Sequence, residues 1–141
     1  MSALELVVEK GPEPIPALGN KPRRLVVDDA KDVLWLLSRA LSFMGFDVGV
    51  AGNGLEAMTL FLTSSYDLLI TDLQMPLMNG LELSRLVKEQ YPKTPVILVT
   101  GFCDDKLFEK ANMNCFDAVI PKPFNLDEIE KTVQKLLDRG L

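Results

Sequence analysis

The strongest constraint on the fold is a regular alternation of short apolar runs with longer segments of helical periodicity. Continuous apolar runs of this length are typical of strands that are buried on both faces of a sheet. The predicted strands are LVV at 25–27, FDVGVA at 46–51, DLLIT at 67–71, VILVT at 96–100 and DAVI at 117–120. Because helical segments separate these strands, we expect an α/β fold of βαβ units, with a parallel sheet that helices cover on both faces.

Five helices are expected between and after the strands. Apolar residues recur at helical spacing from Val33 to Met44, and Gly45 follows as a stop signal. The other predicted helices lie at 55–62 after a capping Asn53, at 81–87, at 104–111 and at 126–137 after a capping Asn125.

The first 22 residues differ in composition from the rest of the chain. They contain Pro12, Pro14, Pro16 and Pro22. A proline-rich stretch resists packing, so we predict a tail or linker at 1–22 and one domain at 23–141. The sequence has no signal-peptide pattern and no apolar run of about 20 residues, so we expect a cytoplasmic protein that does not span a membrane.

Charge and residue usage exclude several kinds of function. The formal net charge of −5 disfavours general binding to nucleic acid or to anionic membranes. Cys103 and Cys115 lack metal-ligand spacing and are expected to be free thiols. The chain has no histidine, which excludes Ser–His and Cys–His hydrolases and HExxH proteases. The chain therefore cannot itself donate phosphate from a phosphohistidine.

Polar residues collect where the predicted strands end. Asp28 and Asp29 follow the first strand, Asp72 follows the third, Thr100 ends the fourth and Lys122 lies just beyond the fifth. Ligands of open parallel sheets bind at the carboxyl ends of the strands, so we expect these side chains to share one rim. Neighbouring carboxylates repel unless a cation lies among them, and hard oxygen ligands suit Mg²⁺. The set predicts a cage for a phosphoryl group, with Asp72 as the nucleophile that forms an acyl phosphate.

Each of these residues, taken alone, has a simpler explanation. An aspartate after a strand is often a helix cap, a threonine suits a strand, and a lysine is usually a solvated charge. Only their coincidence at successive strand ends of one sheet favours a functional site.

Four motifs resemble the receiver domain of two-component response regulators. They are LVVDDA, DLLITDLQMPLMNGLEL, VILVTG and IPKPF, and the resemblance covers about Arg24 to Leu141. It implies a flavodoxin-like, doubly wound sheet of five parallel strands in the order 2-1-3-4-5 with five helices. The implied function is a phosphorelay receiver that accepts a phosphoryl group from a partner's phosphohistidine and signals by conformational switching. The implied partner is a histidine kinase or phosphotransfer protein. The resemblance leaves open whether the chain forms a homodimer.

The resemblance also implies a role for each residue of the rim. Asp72 resembles the phosphoacceptor, which also contributes to the metal site. Asp29 resembles a direct ligand of Mg²⁺, Asp28 a partner of the metal through bound water, and Gln74 a ligand through its backbone carbonyl. Such a domain assists its own phosphorylation and dephosphorylation, and it is not an enzyme with a separate substrate.

Two further residues resemble the parts that sense the phosphoryl group. Thr100 resembles the switch hydroxyl, and Lys122 resembles the lysine that pairs with phosphoryl oxygens, followed by a cis Lys122–Pro123 bond. Where the family often has an aromatic residue, this chain has Val119, so the usual aromatic readout would require Phe116 or Phe102 as a substitute.

Two surface hypotheses follow from bulky side chains. In the family that the chain resembles, side chains at the positions of Phe102 and Gln74 lie near the path of the hydrolytic water. The resemblance therefore implies that Phe102 shields the acyl phosphate, and an unchanged phosphoryl half-life in Phe102→Ala would contradict this. The consecutive residues 34–37 on the first predicted helix cannot all face inward. Leu34 and Trp35 are therefore candidates for docking a kinase or phosphotransfer helix, although a broad buried stripe would explain them equally well.

Alternative functions stay open. The chain could be the terminal receiver of a hybrid sensor histidine kinase, since its proline-rich start resembles an interdomain linker. A Mg²⁺-dependent aspartyl phosphatase shares the carboxylate chemistry, but those of the haloacid dehalogenase type carry a DxD at the first strand where this chain has adjacent aspartates. A degenerate receiver that only binds partners is disfavoured by the intact acidic set.

Overall fold

The structure is a computed structural model that describes residues 22–101 and 115–138. Its centre is a five-stranded parallel sheet with the strand order β2-β1-β3-β4-β5, as the family resemblance implies. The strands are β1 (Arg23–Val27), β2 (Asp47–Ala51), β3 (Leu68–Thr71), β4 (Val96–Thr100) and β5 (Ala118–Pro121). All five predicted strands are confirmed, and β1 starts earlier than its apolar run, at Arg23.

Four helices lie within the described ranges and confirm four of the predicted ones. They are α1 (Lys31–Phe43), α2 (Gly54–Thr63), α3 (Gly80–Gln90) and α4 (Leu126–Leu137). The helix predicted at 104–111, the side chains of Cys103 and Phe102, and nearly all of the proline-rich segment at 1–22 lie outside the described residues. Cys115 has a free thiol, as predicted.

Three of the four described helices begin after an asparagine that caps them. The side chains of Asn53, Asn79 and Asn125 each accept the amide of the glutamate three positions later, at 2.8–2.9 Å. These bonds satisfy amides that the first turn of a helix leaves unpaired. Gly45, with φ of 95°, follows the end of α1 in a conformation that favours glycine.

The core lies in two layers because successive strand residues point to opposite faces of the sheet. On one face, Leu25 and Val27 pack in a buried cluster with residues of α2 and α3. On the other face, Val26 packs in a second cluster with residues of α1 and α4. We call these the α2/α3 cluster and the α1/α4 cluster. Both faces of the sheet are thereby filled, which leaves the strand ends as the places where polar chemistry can collect.

Two ion pairs lie at the amino-terminal edge of the sheet. Lys88 Nζ lies 2.7 Å from Asp117 Oδ2, which also accepts the amide of Val96 at 2.7 Å. Arg24 is buried, pairs with Asp67 and lies 4.1 Å from the ring centroid of Phe46. Within the described ranges, no helix is both long and apolar enough to cross a lipid bilayer.

Candidate functional site

Backbone hydrogen bonds that continue past the strands position the residues of the candidate site. The amides of Asp28, Asp72 and Lys122 donate to the last carbonyl of β2, β1 and β4, respectively, at 3.2, 3.0 and 2.8 Å. These three residues are therefore fixed at the carboxyl edge of the sheet by the same ladder that holds the strands together.

Three carboxylates converge at this edge, as the sequence predicts. Asp28, Asp29 and Asp72 each offer an oxygen atom, and these atoms all lie within 4.8 Å of one another. Asp28 is 1% exposed and Asp72 is also buried, whereas Asp29 is exposed. The cluster therefore has a buried floor and one side open to solvent.

Lys122 brings a positive charge to the two buried carboxylates. Its Nζ donates to Asp28 Oδ2 at 2.9 Å and lies 3.3 Å from Asp72 Oδ2. The other oxygen of each carboxylate accepts a backbone amide, from Ala30 to Asp28 at 2.9 Å and from Leu73 to Asp72 at 2.8 Å. Each carboxylate is thus positioned by a backbone amide at one oxygen and by the Lys122 ammonium at the other. The ammonium also offsets part of the repulsion between the two carboxylates.

The electrostatics of the cluster shift two pKa values upward. Burial raises the pKa of Asp72 above its ordinary 3.8, and the charge of Asp28 adds to this effect, while Lys122 and the Leu73 amide oppose it. Burial alone would lower the pKa of Lys122, but its hydrogen bond to Asp28 and the charges of Asp72 and Asp28 outweigh burial and raise it. An acidic group with a raised pKa in a cleft is a typical feature of a functional site.

The other predicted site residues lie around the cluster. Thr100 is buried at the end of β4, where it pairs in register with Pro121 of β5. Gln74 lies exposed in the loop between β3 and α3. The Lys122–Pro123 bond is cis, as expected. The functional roles of Thr100 and Gln74 stay predictions.

The sequence around Val119 was considered for an aromatic readout. Among the described residues of β5 and the segment before it, no aromatic ring is exposed. Val119 is half-buried against the α2/α3 cluster, and Phe116 is a buried member of that cluster. Phe116 therefore packs in the core, and Phe102 lies outside the described residues.

The two residues proposed for docking differ in exposure. Trp35 is 63% exposed, and Arg39 stacks on its ring with 5.5 Å between Cζ and the ring centroid. Leu34 is half-buried and packs against the α1/α4 cluster. Trp35 also borders a groove of about 670 Å³ between α1 and the first turns of α4, whose lining includes Leu36, Ala40, Phe43, Met44, Leu126 and Glu130.

Two glycines pack closely against the loop that follows β3, and this feature was not predicted from the sequence. A Cβ atom added to Gly80 would overlap the carbonyl oxygen of Asp72, and one added to Gly54 would overlap the carbonyl oxygen of Met78. The available signal was the tetrapeptide Asn-Gly-Leu-Glu, which occurs at both 53–56 and 79–82. Of the two asparagines and two glycines, only Asn53 was assigned a role from the sequence, as a helix cap.

Comparisons with known proteins agree with this geometry. A family profile described as "Response regulator receiver domain" matches residues 25–134. The regulatory protein AtoC of Escherichia coli (strain K12) is 37% identical over 116 residues, which is 82% of this chain and 25% of AtoC. The chain thus spans about a quarter of the length of the first curated relatives that it matches.

Solved structures show the same fold. The chemotaxis response regulator CheY4 of Vibrio cholerae has a TM-score of 0.77 and 28% identity, over 82% of this chain and 98% of that one. The response regulator protein TrrA from Thermotoga maritima, solved in complex with Mg(2+)-BeF, has a TM-score of 0.72 and 32% identity with the same coverage.

Proposed function

The chain belongs to the response regulator receiver domains, and on this premise we propose that Asp72 is the residue that accepts the phosphoryl group. The donor is the phosphohistidine of a histidine kinase or phosphotransfer protein. One observation carries the proposal: the Asp72 carboxylate lies in a converging set of three carboxylates with an ammonium 3.3 Å away. A purely structural aspartate would gain nothing from a buried acidic neighbour, because the like charges repel.

The transfer step requires little from the protein beyond position and charge. A carboxylate oxygen of Asp72 forms a bond to phosphorus while the phosphorus–nitrogen bond of the donor breaks, and its electron pair returns to the donor's imidazole nitrogen. The Leu73 amide and Lys122 hold the Asp72 carboxylate in place for this attack. Lys122 then pairs with an oxygen of the new phosphoryl group. The same residues assist its later loss by hydrolysis.

The acidic set fits a divalent cation. Three ionised carboxylates opposed by one ammonium leave an excess of two negative charges, and all the donors are hard oxygens. Asp28, Asp29 and Asp72 would hold Mg²⁺ together with the Gln74 carbonyl, with Asp29 in direct contact and Asp28 acting through water. When bound, Mg²⁺ neutralises charge on the phosphoryl oxygens. The complex of TrrA with Mg(2+)-BeF supports this choice of metal.

The readout follows from the position of Thr100. Its backbone lies beside β5, and the carbonyl of Thr100 accepts the Lys122 amide at 2.8 Å. We propose that the hydroxyl turns toward the phosphoryl group and that the ends of β4 and β5 move with it, as a shift between two populations. Val119 lacks an aromatic ring, so this readout proceeds without aromatic rotation at that position.

The docking surface for the donor includes the exposed face of α1. This helix starts at Lys31, two residues after Asp29, so a helix laid along α1 is directed toward the acidic cluster. Trp35 offers an exposed aromatic anchor beside an apolar groove, whereas Leu34 packs against the α1/α4 cluster and offers less surface to a partner.

Beryllofluoride, which mimics a phosphoryl group, tests the proposal. We expect the parent to bind beryllofluoride in the presence of Mg²⁺ but not in its absence, as measured by calorimetry and by backbone amide NMR shifts. Asp72→Asn should abolish this response, whereas Asp32→Asn, which removes an exposed acid outside the cluster, should preserve it. A parent without a Mg²⁺-dependent response, or an Asp72→Asn variant with the parental response, would refute the proposal.

A further inference from the structure

The tetrapeptide Asn-Gly-Leu-Glu occurs twice and starts a helix each time. Residues 53–56 begin α2, and residues 79–82 begin α3. In both copies the asparagine side chain accepts the glutamate amide, at 2.8 and 2.9 Å, and the glycine is the first helical residue. The two helix starts face the same loop, residues 72–79, which connects β3 with α3.

The first contact is between Gly80, at the start of α3, and the backbone of Asp72 and Leu73. A Cβ atom on Gly80 would overlap the Asp72 carbonyl oxygen and lie 3.0 Å from both the Asp72 carbonyl carbon and Leu73 Cα. The Gly80 amide also donates to the Leu73 carbonyl at 2.8 Å. Backbone packs on backbone here, so no side chain can rotate away to make room.

The second contact joins α2 to the far end of the same loop. A Cβ atom on Gly54 would overlap the Met78 carbonyl oxygen and lie 2.6 Å from Met78 Cβ. Gly54 is buried, and so is Gly80. The loop is therefore held at both of its ends by the glycines that start α2 and α3.

The conformation of the loop agrees with such a constraint. Leu77 has a φ of 73°, a left-handed value that is unfavourable for a leucine, and the Met78 amide donates to the Pro76 carbonyl at 2.8 Å across it. A strained residue of this kind persists only where the surrounding structure determines its conformation. Leu77 is itself exposed, so the determining contacts come from its neighbours in the loop.

Glycine at the first position of a helix needs a reason, because alanine favours a helix more strongly. Gly52 provides the comparison, since a Cβ atom there would meet nothing within 4 Å. The reason at Gly54 and Gly80 is the close approach of the loop.

We propose that Gly54 and Gly80 are positioning residues that clamp the loop and thereby set the Asp72 carboxylate and the Gln74 carbonyl for metal binding. This inference rests on the proposed function, because the metal site is its readout. A methyl group at either glycine would displace the loop, and with it ligands that must converge within fractions of an ångström.

The test compares Gly80→Ala and Gly54→Ala with the control Gly52→Ala. The Kd for Mg²⁺ is measured by calorimetry at a temperature where circular dichroism shows each variant to be folded, together with the rate of phosphorylation by acetyl phosphate. We expect Gly80→Ala and Gly54→Ala to weaken Mg²⁺ binding by about 10- to 100-fold, as is typical when groups that orient metal ligands are lost. Gly52→Ala should keep the parental Kd.

The outcomes separate this inference from the proposed function. A parent that binds no Mg²⁺ would refute the proposed function. The clamp would be refuted if the parent binds Mg²⁺ and both Gly80→Ala and Gly54→Ala keep the parental Kd. If these variants also melt at a lower temperature, the two glycines have a merely structural role. If Gly80→Ala does not fold, Gly54→Ala decides, because its overlap lies at the end of the loop remote from Asp72.

Discussion

Replacing Lys122 by methionine tests the electrostatics of the site most sharply. The substitution keeps an apolar stem of similar length and removes an ammonium that lies 2.9 Å from Asp28 Oδ2 and 3.3 Å from Asp72 Oδ2. Asp28 is 1% exposed, so water cannot replace the lost charge at that carboxylate. The two acids would then repel each other with only the Ala30 and Leu73 amides left to offset their charge.

The size of the effect follows from distance and burial. Two unit charges about 3 Å apart attract by roughly 5 kcal/mol at an effective dielectric constant of about 20. Removing one partner of a buried pair costs about 3–5 kcal/mol in measured cases. Lys122 is 24% exposed, so solvent screens part of this interaction. We therefore expect Lys122→Met to lower the free energy of unfolding by about 2–3 kcal/mol near pH 7, or the Tm by roughly 10 °C.

The loss should depend on pH with a defined sign. The pKa of Asp72 in the folded state lies above its unfolded value of 3.8, because of burial first and the charge of Asp28 second. The folded state thus keeps a proton that the unfolded state releases, and stability falls as pH rises from about 4 through the folded pKa of Asp72. Without Lys122 that pKa rises further, so the difference between variant and parent should be smallest at the acidic end and largest near neutrality.

Urea denaturation at acidic and neutral pH, with and without Mg²⁺, measures these differences. Saturating Mg²⁺ should reduce the loss, because the cation supplies the missing positive charge. Lys131→Met is the matched control, since Lys131 pairs with Asp127 on the exposed face of α4 and should show neither dependence. A loss in Lys122→Met that is the same at both pH values and unaffected by Mg²⁺ would mean that packing, and not charge, is responsible.

Two further predictions concern residues away from the acidic cluster. Arg24→Met should change the free energy of unfolding, measured in urea, by less than about 1 kcal/mol. Burial of the Arg24 guanidinium is itself unfavourable, since it lowers the pKa of Arg24 to about 10. Its partner Asp67 is exposed, so water can hydrate that carboxylate once the guanidinium is removed. A loss as large as that expected for Lys122→Met would contradict this reasoning. Trp35→Ala should slow phosphotransfer from a histidine kinase by about tenfold while phosphorylation by acetyl phosphate stays at the parental rate. Equal kinase rates in parent and variant would refute docking at Trp35.

Much of the fold was predictable because its signals are local. The continuous apolar runs that became β1, β3 and β4 are fully or almost fully buried, and Asn53 and Asn125 cap helices as expected. The acidic rim was predictable as well, because parallel strands bring their carboxyl ends to one edge. These inferences need only the residues of one element and a general rule of topology.

The remaining features depend on contacts between distant elements. Lys122 follows β5 and Asp28 follows β1, with β3 and β4 between them in the sheet, so their ion pair depends on side-chain reach across two strands. The rotation of α1, which exposes Trp35 and leaves Leu34 half-buried, is likewise decided by packing. The contact of Gly80 with the Asp72 carbonyl arises only when the loop folds back.

The most direct test of the central claim is to locate the phosphoryl group itself. The chain is incubated with acetyl phosphate and Mg²⁺ and then analysed by intact and tandem mass spectrometry. We predict one added phosphoryl group on the parent, assigned to Asp72, and none on Asp72→Asn or on the parent incubated with a chelator. A phosphoryl group assigned to another residue, or equal labelling of the parent and Asp72→Asn, would contradict the account.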